Sequence, residues 1–160
     1  MSDQGDEDLN KWDRYFAIEA NNLAWQLTTQ PRTAAEDDEL LNLAHSSAFH
    51  WSRVGNELNR MRATMLLAEV HALLGLGQTA LLYAGKMRDF FLAQDDVPDW
   101  ETAFVHTIHA HAACAAADHV SHQVSYELAR KAIDAIADED DRNVVLQTFN
   151  AVPVPGDQTG

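Results

Sequence analysis

The chain has a single cysteine, Cys114, in 160 residues. That excludes an internal disulfide, so the fold does not depend on an oxidising compartment. Only 4 prolines and 7 glycines interrupt it, while alanine and leucine are abundant, a balance that favours helices. Lysine is also rare, with Lys11, Lys86 and Lys131 far apart in the chain. Basic residues total 11 against 25 acidic ones, a formal charge of −14. No basic patch is segregated, so a phosphate backbone would be repelled and nucleic acid is not an expected partner. No apolar run approaches the ~18–20 residues of a membrane span. The acidic opening "MSDQGDEDLN" lacks the positive start of a signal peptide. The resulting expectation is a cytoplasmic protein that meets neither membrane nor nucleic acid.

What the chain does have is helical periodicity. Trp12, Tyr15, Phe16, Glu19, Leu23 and Leu27 follow 3- and 4-residue steps with one polar exception, predicting a first helix over about 9–28. Pro31 breaks the chain, and Thr33 followed by Glu36 has the form of a capping box, opening a second helix that Gly55 stops. A third helix starts near Asn56 and ends at the "GLG" of 75–77, and a fourth, "QTALLYAGKMRDFFLAQ", follows at once. "GLGQTA" has the look of a phosphate loop but lacks its lysine and a preceding strand, so it is taken as a tight inter-helix turn. Pro98 precedes a fifth helix over 99–118, a sixth spans about 121–137, and a short seventh at 142–150 covers one end. The run "DEDD" at 138–141 is expected as a solvated loop. Residues 1–8 and 151–160 have little to bury and are expected to be disordered. No segment alternates with period two, so the fold class is all-α, a single helical domain over 9–150 in pairs of about 9–54, 56–94 and 99–137. Trp12, Trp25, Trp51 and Trp100, at helical spacing, are expected in the core.

A small-residue step recurs in alternate helices: Ala44 and Ala48, Ala80 and Ala84, Ser125 and Ala129, followed three residues on by Trp51, Met87 and Ala132. Small residues four apart let a neighbouring helix lie close. With Leu67–Ala68 twelve positions ahead of the middle copy, this arrangement resembles the tetratricopeptide repeat. The middle pair, about 57–93, matches best, although Thr64 stands where the family has tryptophan and His71 where it has an aromatic. The resemblance implies antiparallel helical hairpins stacked as a short right-handed superhelix of about 6–7 helices. It also implies a concave groove, lined by the first helix of each pair, that binds a peptide or partner protein. The register of Leu67–Ala68 points Arg62, Met65 and Glu69 into that groove, and equivalent registers in the outer pairs add Asn21, Trp25, His106 and His109. Self-association is a further expectation, because a short stack leaves two ends to cover.

Five of the eight histidines fall in "FVHTIHAHAACAAADHVSH", residues 104–122. At 100° per residue Phe104, Ile108 and His111 share one side of the fifth helix, with His106 nearly opposite and His109 beside it. That helix, apolar nearly all round, belongs in the middle of a stack, with His111 hydrogen-bonded to a neighbour. Cys114, three residues after His111, is read as a small buried hydrophobe and not as a catalytic thiol. His106/His109 and His119/His122 have the i,i+3 spacing that two ligands of one ion can use, and zinc or another divalent transition metal is the alternative reading. It would make the chain similar to the DinB-like metal-binding four-helix proteins, possessing a metal-dependent activity. No HExxH, no Glu-x-x-His and no paired catalytic groups are present, so no catalytic residue is assigned and no cofactor is favoured.

Overall fold

The computed structural model describes residues 3–156, with side chains from residue 5 onward. The described residues form seven helices and no strand: α1 Asp3–Thr28, α2 Ala34–Val54, α3 Glu57–Leu73, α4 Gly77–Leu92, α5 Asp99–Ala115, α6 His119–Asp134 and α7 Glu139–Phe149. The boundaries follow local chemistry. Thr33 and Glu36 form the reciprocal capping box at the start of α2, the Thr33 amide donating to Glu36 Oε2 over 2.7 Å. Asn56 and Asn59 repeat that exchange at α3, and the side chains of Asp118 and Asp138 cap α6 and α7. Between α3 and α4 the chain reverses through Gly75 at φ +73°, a left-handed conformation that glycine adopts without cost. Gly77 lies so close to α5 that a Cβ there would overlap the Ala115 carbonyl.

Each helix packs on its neighbour in the chain, α1 on α2 and so on to α6 on α7. The odd-numbered helices also meet one another, α1 with α3, α3 with α5 and α5 with α7. Each hairpin thus lays its first helix beside the first helix of the next. The small-residue step works within this packing. Ala80, Ala84 and Met87 are fully buried on α4, as are Ser125 and Ala129 on α6. In α2 the buried set is Leu40, Ala44, Ser47 and Trp51, with Ser47 Oγ donating to the Ala17 carbonyl of α1 at 2.9 Å. Ala48 and Ala132 are only half-buried, and Ile133 takes the third place on α6. The largest core cluster runs from Met65 and Ala68 through Ala80, Ala84 and Met87 to Phe104, Ile108 and Ile133. It sits around α5, which is buried on every side as its composition requires.

Several expectations need correction. Helix α1 begins at Asp3, so residues 3–8 are helical and not disordered. Acidic side chains such as Asp6 and Glu7 favour the positive end of a helix dipole, which needs no buried face. For the same reason "DEDD" is the cap and first turn of α7, which starts at Glu139 and not at 142. Residues 151–156 are ordered against the body. Val152 is buried with Ala110 and Tyr126, and His122 Nε2 donates to the Pro153 carbonyl at 2.7 Å. Residues 1–2 and 157–160 of the two expected tails lie outside the described residues. Trp12 is half-exposed and not core, because its stripe of α1 has no helix beyond it. Among the described residues no helix is long and apolar enough to cross a membrane.

Candidate functional site

The side formed by the odd-numbered helices contains a cleft of about 460 Å³. Helix α1 contributes Asn21 and Trp25, α3 Arg62 and Met65, α5 Trp100, Glu101 and Phe104, and α7 closes one end with Val144 and Gln147. Its aromatic floor is edge-to-face packed: Trp25 meets Phe104 with ring centres 5.8 Å apart, and Phe104 meets Trp100 at 6.2 Å. Over this floor Arg62 makes a two-pronged pair with Glu101, Nε to Oε1 at 2.7 Å and Nη2 to Oε2 at 3.0 Å. The guanidinium also lies 5.8 Å from the Trp100 ring.

The pair is asymmetric. Glu101 is 2% exposed, whereas the Arg62 side chain is 42% exposed. The buried carboxylate therefore fixes the arginine, and its hydrogen bond raises the Arg62 pKa against the opposing effect of burial. With the two charges cancelled, the cleft is close to neutral within a chain of charge −14. Its chemistry is that of an apolar slot rimmed by amide side chains and one partly exposed guanidinium. Such a site suits an apolar side chain whose neighbouring backbone carbonyls accept hydrogen bonds.

Four of the seven groove residues expected from sequence, Asn21, Trp25, Arg62 and Met65, line this one cleft. The other three do not. Glu69 is 1% exposed, with both its carboxylate oxygens 3.0 Å from His111 Nδ1. It lies on the same stripe of α3 as Arg62 and Met65, but α5 covers it there. Burial pushes the His111 pKa down, yet the Glu69 charge and hydrogen bond together hold it above the usual value. His106 and His109 face away from the cleft, toward α4 and α6. Arg88 Nη1 lies 3.5 Å from His109 Nε2, and Ser125 Oγ lies 2.7 Å from His109 Nδ1. Arginine can only donate, so Nε2 accepts and Nδ1 carries the proton toward Ser125.

The register assumed for α5 was therefore wrong. The stripe of α5 that meets α3 is Glu101, Phe104, Ile108 and His111, of which Glu101 and Phe104 line the cleft, and His106 and His109 lie off it. The shared side of Phe104, Ile108 and His111 was legible in the sequence, and one step back along it reaches Glu101. Trp100, Glu101 and Phe104 were missed because the register carried over from Leu67–Ala68 has nothing to fix it on a helix that is apolar nearly all round. Val144 and Gln147 were missed because nothing in the sequence says which face of a short terminal helix turns inward.

Among the described residues no three side chains of His, Cys, Asp or Glu are grouped to hold an ion. His109 is engaged as above, His122 bonds the Pro153 carbonyl, and His119 is exposed. His50 is held by Asp13 at 2.7 Å, and His45 packs edge-on against His71. Asp118 serves as the α6 cap, its carboxylate held below the usual range by the Ser121 hydrogen bonds. Cys114 is half-buried, and His111 Nδ1 points to Glu69, not to the thiol. In comparisons with known proteins, no family model, curated protein or solved structure matches the chain.

Proposed function

We propose that the chain is a protein-interaction module that takes an extended segment of a partner protein into the cleft of the odd-numbered helices. In this reading the three hairpins form a tetratricopeptide-like stack, its first helices present the binding face, and α7 closes one end. The observation that carries it is the half-open slot over Trp25 and Phe104, where Arg62, fixed by buried Glu101, still reaches solvent. An apolar or aromatic anchor residue fits the slot, and Asn21, Gln147 and the Arg62 rim supply hydrogen bonds to the backbone on either side. Anchors of this kind suit a rigid concave site whose side chains are already held in place. A free carboxylate is not the favoured feature, since the Arg62 charge is already matched by Glu101.

The test is selection of binders from a random-peptide display library, followed by calorimetric titration of the enriched sequences. Enrichment of peptides with an aromatic or long aliphatic residue, and loss of their binding in Val144→Glu, a cleft position 54% exposed, with the helical circular dichroism unchanged, is the expected result. No enrichment, or binding that Val144→Glu leaves intact, would refute the reading.

A further inference from the structure

Helix α1 carries a second apolar face, turned away from the cleft. Leu9, Trp12, Tyr15, Phe16, Leu23 and, from α2, Phe49 are each between 46% and 59% exposed. Three of these rings pack on one another: Trp12 against Tyr15 at 5.9 Å, Trp12 against Phe16 at 6.1 Å and Tyr15 against Phe16 at 5.4 Å. Phe16 extends the cluster to His50 of α2 at 5.6 Å, beside a shallow groove floored by Ala20, Leu23 and Leu43. At half exposure these side chains present an apolar area on the order of 500 Å². That is as large as the largest patch of an ordinary monomer, and with a polar rim it approaches the ~800 Å² per partner of a stable interface.

The rim indicates what covers it. Lys11, Tyr15 and Glu19 are exposed and follow one another at four-residue steps, so they form one edge of the face with opposite charges at its two ends. A two-fold axis at the level of Tyr15 sets two α1 helices antiparallel, brings Lys11 of each copy beside Glu19 of the other, and closes the aromatic clusters on each other. A surface whose charges are complementary to its own rotated copy is what an isologous contact requires. We infer that the α1 face is the interface of a homodimer, its occupant a second copy of this chain. Asn21 and Trp25 lie on the other side of α1, so each copy keeps its cleft open.

Sedimentation equilibrium and light scattering of the full chain test this. The expected result is a dimer that dissociates on dilution. The variant Tyr15→Glu with Phe16→Glu is expected to be monomeric with its helical signal retained. Charge reversal keeps the test decisive even if that variant fails to fold. Lys11→Glu alone and Glu19→Lys alone should each weaken dimerisation about tenfold, and the two together should restore it. A monomer at concentrations on the order of 100 μM overturns the proposal. So does a dimer whose affinity is indifferent to the single reversals, or one the double reversal does not rescue. A wild-type monomer that still binds selected peptides would overturn the dimer alone and leave the cleft reading standing.

Discussion

Acid should weaken this fold through His109 before it weakens it through any carboxylate. The imidazole is nearly enclosed between α4, α5 and α6. Burial, together with the positive charge of Arg88 and the neighbouring His106, lowers its pKa from 6.5 to about 4, against the weaker opposite pull of Asp118 and Asp89. The neutral ring also has a structural task, accepting from Arg88 while it donates to Ser125. An unfolded chain takes up a proton at this residue below its ordinary value of 6.5, and the folded protein refuses it until about pH 4. Stability contributed by His109 is therefore complete above that window and is lost as pH falls through it. At about pH 5 the linkage relation gives a loss of ~2 kcal/mol relative to neutral pH, a large share of the stability of a domain this size. Urea unfolding followed by tryptophan fluorescence, repeated from about pH 7 to about pH 4.5, measures it. His109→Asn keeps a donor toward Ser125 and removes the titration, so its stability should fall less steeply across the window by about one proton. His106 and His45, whose pKa values burial also lowers, leave a residual slope of the same sign. His111 acts oppositely: its raised pKa makes its contribution complete at low pH, and that contribution is lost as pH climbs through the raised value. Wild type and His109→Asn losing stability in parallel would refute the assignment.

Three further substitutions follow from the packing. Gly77→Ala forces a methyl group into the Ala115 carbonyl, which is backbone and cannot turn aside. About 3 kcal/mol of stability and on the order of 10 °C of Tm should be lost, and an unchanged melt would contradict the close approach of α4 and α5. Arg62→Met strands the Glu101 carboxylate, 2% exposed, and should cost about 2 kcal/mol, less than for a fully buried pair because Arg62 itself is half in solvent. Adding Glu101→Gln should recover part of that loss in denaturant titrations, and a costless single variant would show that the pair is not formed. Val152→Asp buries a charge against Ala110 and Tyr126, and a loss of about 3 kcal/mol is expected by thermal unfolding. A neutral result would return the segment after α7 to a passive tail.

The parts of the fold that were legible in the sequence rest on local chemistry. The Thr33–Glu36 box, the stop at Gly55 and the turn at Gly75 involve groups a few residues apart, so their geometry is specified without the rest of the chain. The enclosed position of α5 could be read from its all-round apolar composition. Four of the twelve residues lining the cleft were legible for a related reason. Trp25 sits on a helix with a well-marked inward stripe, and on α3 the Leu67–Ala68 register supplied the direction for Arg62 and Met65. On α5 the same reasoning failed because nearly every face is small and apolar. Only its long-range partners, Arg62 for Glu101 and Glu69 for His111, decide which stripe meets α3. His109, His122 and His111 were set apart by similar long-range choices, one ring nitrogen of each meeting a serine, a carbonyl or a carboxylate from another segment. The helical reach of residues 3–8 was obscured because an acidic first turn and an unstructured acidic tail have the same composition.

The four indoles provide the most direct measurement of the central claim, since Trp25 and Trp100 line the cleft while Trp12 and Trp51 do not. A library-selected peptide would be titrated into isotope-labelled protein at fixed protein concentration, following the four indole N–H resonances by NMR. Saturable shifts of Trp25 and Trp100, with Trp12 and Trp51 stationary, are the predicted result. Movement confined to Trp12 or Trp51, or no movement under conditions where calorimetry records binding, would place the partner elsewhere and contradict the account.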